Sequence, residues 1–171
     1  MIIAACGCAL VGAGWDVATR RIPNWLTYGC LTAGLVIRAC FGGWHGVWYG
    51  VAGALVGGGI FFVFFLVHGM GAGDVKLMAA VGCLAGLGQV LMIVLTSAIA
   101  GGVLALFFMV AKRRVGRTIG NMWELIRYHL VFGAQSHPDI NLHNPEAIRM
   151  PYALAIAAGT LYSLSAMLMR R

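Results

Sequence analysis

Acidic side chains are scarce in this chain, five among 171 residues against twelve Lys and Arg. Glu124, Asp139 and Glu146 lie in one polar stretch between Lys112 and Arg149, so the remainder carries only Asp16 and Asp74. Charged residues of both signs make up 10% and hydrophobic residues 61%, with a mean hydropathy of +0.88. A soluble globular domain is excluded by that balance; an integral membrane protein has it. No CxxC spacing joins the five cysteines, which argues against a zinc site or a disulfide framework and leaves them as small apolar packing residues. The histidines show no metal-ligand spacing, so no metal or other cofactor is expected. No internal repeat or low-complexity tract is visible. The first apolar run lacks a basic leader and a convincing cleavage site, and reads as a retained helix. The net charge of +7 is strung along the ends of apolar runs, which fits membrane topology and anionic lipid better than nucleic acid.

What is abundant is apolar sequence in long blocks. Residues 1–17, 25–41 and 46–67 form three runs, with Arg38 near enough to one end to snorkel outward. Residues 77–111 then continue without a charge, too far at about 1.5 Å per residue for one helix across roughly 30 Å of hydrocarbon. A break near Gly86-Leu87-Gly88-Gln89 predicts two spans there, and residues 151–168 supply a last one. The expected fold is all-α: a polytopic bundle of six transmembrane helices, residues 1–171 forming a single membrane domain. With both termini outside, the basic residues Arg20, Arg21, Lys76, Lys112 to Arg114, Arg117, Arg127 and Arg149 fall on the inner side, as the positive-inside tendency asks. Within the cytoplasmic loop 112–150, Ile119 to Phe132 has apolar residues at helical spacing and predicts an interfacial helix on the inner leaflet.

In this arrangement Asp16 and Asp74 meet the same membrane edge. Peptide hydrolysis without a metal or a covalent nucleophile needs an activated water and a polarised carbonyl. Two carboxyls sharing one proton provide both, the ionised one as base and the protonated one as acid. The alternating Gly69, Gly71 and Gly73 allow a sharp bend and a close approach by another chain next to Asp74. Pro23 and Asn24 either shape the turn that presents Asp16 or simply start the second helix. Lys76 either serves the Asp74 carboxylate or a substrate, or anchors the inner boundary. His68 reads as a boundary histidine.

Gly71-Ala72-Gly73-Asp74 matches the GxGD motif of membrane aspartyl proteases. Together with Asp16, the segment Arg21-Ile22-Pro23-Asn24, the order of spans and Pro151-Tyr152, it resembles the bacterial type IV prepilin peptidases along nearly the whole chain. The resemblance implies that Asp16 and Asp74 are the catalytic pair, supported by Gly71, Gly73, Pro23, Asn24 and Lys76. It also implies a multi-pass inner-membrane endopeptidase that removes a short basic leader from prepilin or pseudopilin substrates on the cytoplasmic side. Longer members add a cysteine-paired zinc region linked to N-methylation; without it, no methyltransferase activity is expected. Ala153 replaces a glycine that follows Pro-Tyr in many members, which questions any backbone role of that glycine. The short form looks like the peptidases of tight-adherence (Flp) pilus systems. A proton- or ion-coupled transporter and a non-catalytic scaffold of a pilus or secretion machine are the competing classes. A transport site is expected nearer the midplane, and a carboxylate at the end of a helix such as the first is unfavourable as a cap. Oligomeric state is not legible.

Overall fold

The computed structural model describes residues 1–66, 70–111, 120, 127 and 151–169, and among these the regular structure is entirely helical. The helices bounded within the described residues are, in order, α1 (Ile2–Thr19), α2 (Asn24–Leu66), α3 (Ala72–Ala85), α4 (Leu87–Ala111) and α5 (Ala153–Met169). Three of them, α1, α2 and α4, are long and apolar enough to cross a membrane. The predicted interfacial helix falls outside the described residues save for Gly120 and Arg127, both helical, as does His68.

The second and third apolar runs are joined as one 43-residue element, but Gly43 breaks it with φ 54° and ψ −148°, a conformation open to glycine and strained for other residues. The two arms fold back on each other, and both pack on α3. Gly34 on the first arm lies against Cys83 and Leu84, while Gly53, Gly57 and Gly58 on the second meet Gly82, Met78 and Ala79. Lipid offers apolar side chains no worse an environment than a helix face does. Close backbone approach through small residues is therefore what holds such contacts.

The predicted break in 77–111 is at Gly86, with φ 83°, between α3 and α4. A helix end in apolar surroundings leaves carbonyls and amides unsatisfied. Arg38 answers the first need: its guanidinium donates to the Cys83 and Leu84 carbonyls at 2.7 and 2.9 Å. Tyr49 answers the second, its hydroxyl accepting from the Gly88 N–H at 2.8 Å, and its ring lies 5.4 Å from Arg38. So Arg38 does not snorkel away from the protein. It is retained inside because the broken helix supplies it with acceptors.

α5 runs antiparallel to α1 and α4. Cys6 of α1 donates to the Thr160 carbonyl at 3.6 Å, and Ser163 of α5 to Gln89 of α4 at 2.9 Å. Gly159 lies against the Ser97 backbone. The core joins Ala5, Ala9 and Ala13 of α1 with Leu77, Met78 and Val81 of α3 and Ile156 of α5. Two edge-to-face tryptophan pairs mark opposite ends of the bundle. Trp15 and Trp25 stand 5.6 Å apart at the end where α1 meets α2, and Trp44 and Trp48 5.9 Å apart beside Gly43. Amphipathic rings favour the two membrane–water interfaces, so the apolar band lies between the pairs.

Candidate active site

Three helix ends meet at the Trp15–Trp25 end of the bundle. α1 arrives with its C-terminus and carries Asp16 in its last turns. Arg20 follows in the left-handed conformation (φ 53°), its N–H closing onto the Asp16 carbonyl at 2.8 Å, and turns the chain toward α2. α3 starts here with Gly71 as N-cap and Asp74 at the third helical position. α5 starts here with Ala153, whose backbone N–H donates to Asp16 Oδ2 at 3.4 Å.

The two carboxylates thereby line one open cleft of about 330 Å³, with Arg20, Arg21, Asn24 and Lys76 around it. Each glycine of the Gly71-Ala72-Gly73-Asp74 turn has its own reason. The Gly71 carbonyl accepts from the Asp74 N–H at 3.1 Å, closing the first turn of α3. A Cβ on Gly71 would stand 3.1 Å from Asp74 Oδ2, and one on Gly73 would stand 3.3 Å from Ile22 Cβ. Gly73 thus lets the turn after α1 rest directly on the start of α3, which brings Asp16 and Asp74 to the same cleft. Asp74 precedes the charge-free run that begins at Leu77. It shares the cleft with the Asp16 carboxylate, and two like charges so placed disfavour ionisation of both at once.

Lys76 is engaged. Its ammonium donates to Asn24 Oδ1 at 2.9 Å and stands 5.2 Å from the Tyr28 ring centroid, tying the start of α2 to α3 beside Asp74. Pro23 immediately precedes α2, and its carbonyl accepts from Leu26 and Thr27. Among the described residues no cluster of three or more His, Cys, Asp or Glu side chains could hold a metal ion.

A family model for type IV leader peptidases matches residues 3–106, which contain both aspartates and Gly71, Gly73, Pro23, Asn24 and Lys76. The chain belongs to the type IV leader peptidase family. It is a peptidase, a hydrolase of the peptide bond. No curated protein and no solved structure shows significant similarity to it.

Of the residues expected from sequence, Asp16, Asp74, Gly71, Gly73, Asn24 and Lys76 line the cleft, and Pro23 stands at its edge as the start of α2. Ile22 and the Ala153 amide are additions. Ile22 was legible only as part of a motif. The Ala153 amide left no signal, because a backbone donor is carried by any residue but proline. The contact with Asp16 uses the Ala153 N–H and not the α-carbon, so it does not itself require glycine at this position.

The Lys76 contact yields an expected result. Lys76→Met removes a hydrogen bond worth about 0.5–1.5 kcal/mol and frees the start of α2. Peptidase activity should fall several-fold, with Lys76→Arg recovering part of it, while the amount of membrane-inserted protein stays constant. Equal activity of the Met variant in a purified-enzyme assay would show that this tie is dispensable.

Proposed function

We propose that this peptidase is an aspartyl endopeptidase that removes leaders from type IV pilin-like precursors at the cytoplasmic face of the bacterial inner membrane. The observation that carries the reading is the shared cleft of Asp16 and Asp74 at one end of the bundle. A scissile bond next to the first apolar helix of a precursor reaches the enzyme at that depth. Six spans follow if α1, both arms of α2, α3, α4 and α5 each cross, with α3 the short one: its 14 residues span about 21 Å. Basic residues then gather on the cleft side together with loop 112–150, supporting a cytoplasmic site. The whole chain acts as one domain, without N-methyltransferase activity, as in the short peptidases of tight-adherence pilus systems.

The reaction begins when one carboxylate takes a proton from water as the water oxygen bonds to the carbonyl carbon. The other carboxyl gives its proton to the carbonyl oxygen. The tetrahedral diol then collapses: the newly protonated carboxyl returns its proton to the leaving nitrogen, the C–N bond breaks, and a diol hydroxyl reprotonates the second carboxyl. Protons balance and no metal enters, so cleavage should persist in the presence of chelators.

Co-expression with a small pilin-like precursor, followed by sizing of the product, tests the reading; an uncut precursor with inserted enzyme would count against it. The reaction also sets a pH dependence. One carboxyl must hold a proton while the other is ionised, so the rate should fall at low pH as the base takes a proton and fall again as pH rises and the acid loses its own. A rate still rising between pH 7 and 9, measured with purified enzyme and a leader peptide, contradicts an acid of this kind.

A further inference from the structure

We infer that the Ala153 backbone amide at the start of α5 holds Asp16 as the ionised, water-activating member of the pair, leaving Asp74 to donate the proton to the substrate carbonyl. The assignment rests on the aspartyl-peptidase reading and gives each carboxyl a separate task.

Asp16 occupies an adverse place in its own helix. It is buried near the C-terminus of α1, where the helix dipole opposes negative charge. Compensation comes from outside that helix. α5 begins against it, and the Ala153 N–H, first in the helix and without an intrahelical acceptor, points to Asp16 Oδ2 at 3.4 Å. The side chain before it fixes this contact. Tyr152 packs edge-to-face on Phe61 of α2 at 5.8 Å, lies against Gly101 of α4, and donates to the Ser97 carbonyl at 3.5 Å. A helix start wedged among three elements leaves its amide little freedom to turn away.

The charged groups around the pair are distributed unequally. Arg20, four residues after Asp16, lines the same cleft and its charge acts on Asp16. Asp74 adjoins the start of its own helix at Gly71, but Lys76 is turned to Asn24 and Tyr28. Arg21 stands on the cleft wall, and the described parts of α4 and α5 bring no charged side chain. Asp16 therefore has an external amide and a neighbouring cation. Asp74, whose neighbouring lysine is engaged elsewhere and which faces an ionised carboxylate, retains the proton.

Proline tests the amide directly, because it deletes the N–H and is well accommodated at the first position of a helix. In Ala153→Pro the acidic limb of the kcat/KM profile, set by the base, should move up by about one pH unit, with kcat about tenfold lower and the basic limb in place. Ala153→Gly keeps the N–H and should hold the acidic limb at its wild-type position. Displacement of the basic limb alone, or of neither limb, overturns the assignment. Should the proline variant fail to insert, infrared titration of single-carboxyl proteins decides. Against an Asp16→Asn/Asp74→Asn background, Asp16 in Asp74→Asn should ionise at lower pH than Asp74 in Asp16→Asn; the reverse order overturns the proposal. The infrared result is independent of cleavage. An inactive wild-type enzyme with the expected titration order would reject the peptidase mechanism and leave the electrostatic assignment standing.

Discussion

Asp16→Asn and Asp74→Asn should each abolish leader removal, with losses on the order of 10³-fold or more and a double variant scarcely worse than either. General acid or base catalysis at one group is commonly worth about 10²–10⁴. Here one proton passes between two carboxyls, so removing either member disables both halves of the proton transfer. Groups acting as a unit give strongly non-additive losses. Asparagine keeps size and hydrogen bonding, and it removes a charge that is costly beside the apolar band, so insertion and folding should not suffer. Measurement requires equal amounts of membrane-inserted protein and quantification of cut against uncut precursor. Normal processing by either variant would end the two-carboxylate mechanism, although the family membership would be unaffected.

The second large effect concerns assembly. Gly53→Ala should destabilise the protein by about 1–3 kcal/mol, whereas Gly59→Ala, six residues along the same arm, should be neutral or stabilise it by about 0.5–1 kcal/mol. Alanine improves helix propensity at both sites. At Gly53, however, its Cβ would run into the Gly82 carbonyl of α3, and Gly82 is equally tight against Gly53. Neither backbone can yield like a flexible side chain, so α2 and α3 would separate. A Cβ at Gly59 meets nothing within 4 Å. Because α3 carries Asp74, the Gly53 variant should also lose peptidase activity. Thermal midpoints in one detergent provide the comparison, and equal midpoints for the two variants would remove close backbone approach as the basis of this contact.

Much of this architecture is visible in one dimension because the controlling forces are local. Hydrocarbon tolerates few charges, so apolar runs mark helices, and glycine at a turn marks a break. The break at Gly86 and the helix limits near Leu66 and Asn24 follow from such patterns. Arg38 shows where the argument stops. Hydropathy treats an arginine near the end of a run as a side chain seeking water. The folded chain instead places two unsatisfied carbonyls within its reach, forty-five and forty-six residues later. Lys76 is similar: its charge marks a place at a boundary, and only the fold reveals its bond to Asn24.

The amino-acid order decides that this chain is a helical membrane protein with one pair of acidic residues at helix ends, because composition and run length set the energy of burying each segment. Its motifs carry the family. Whether the acids face one another depends on packing: Gly73 must admit Ile22, Gly12 must admit Leu77, and α5 must begin beside Asp16. The last of these joins residues 137 positions apart through a backbone N–H that nearly every residue possesses. Only the three-dimensional arrangement can give such common atoms distinct roles.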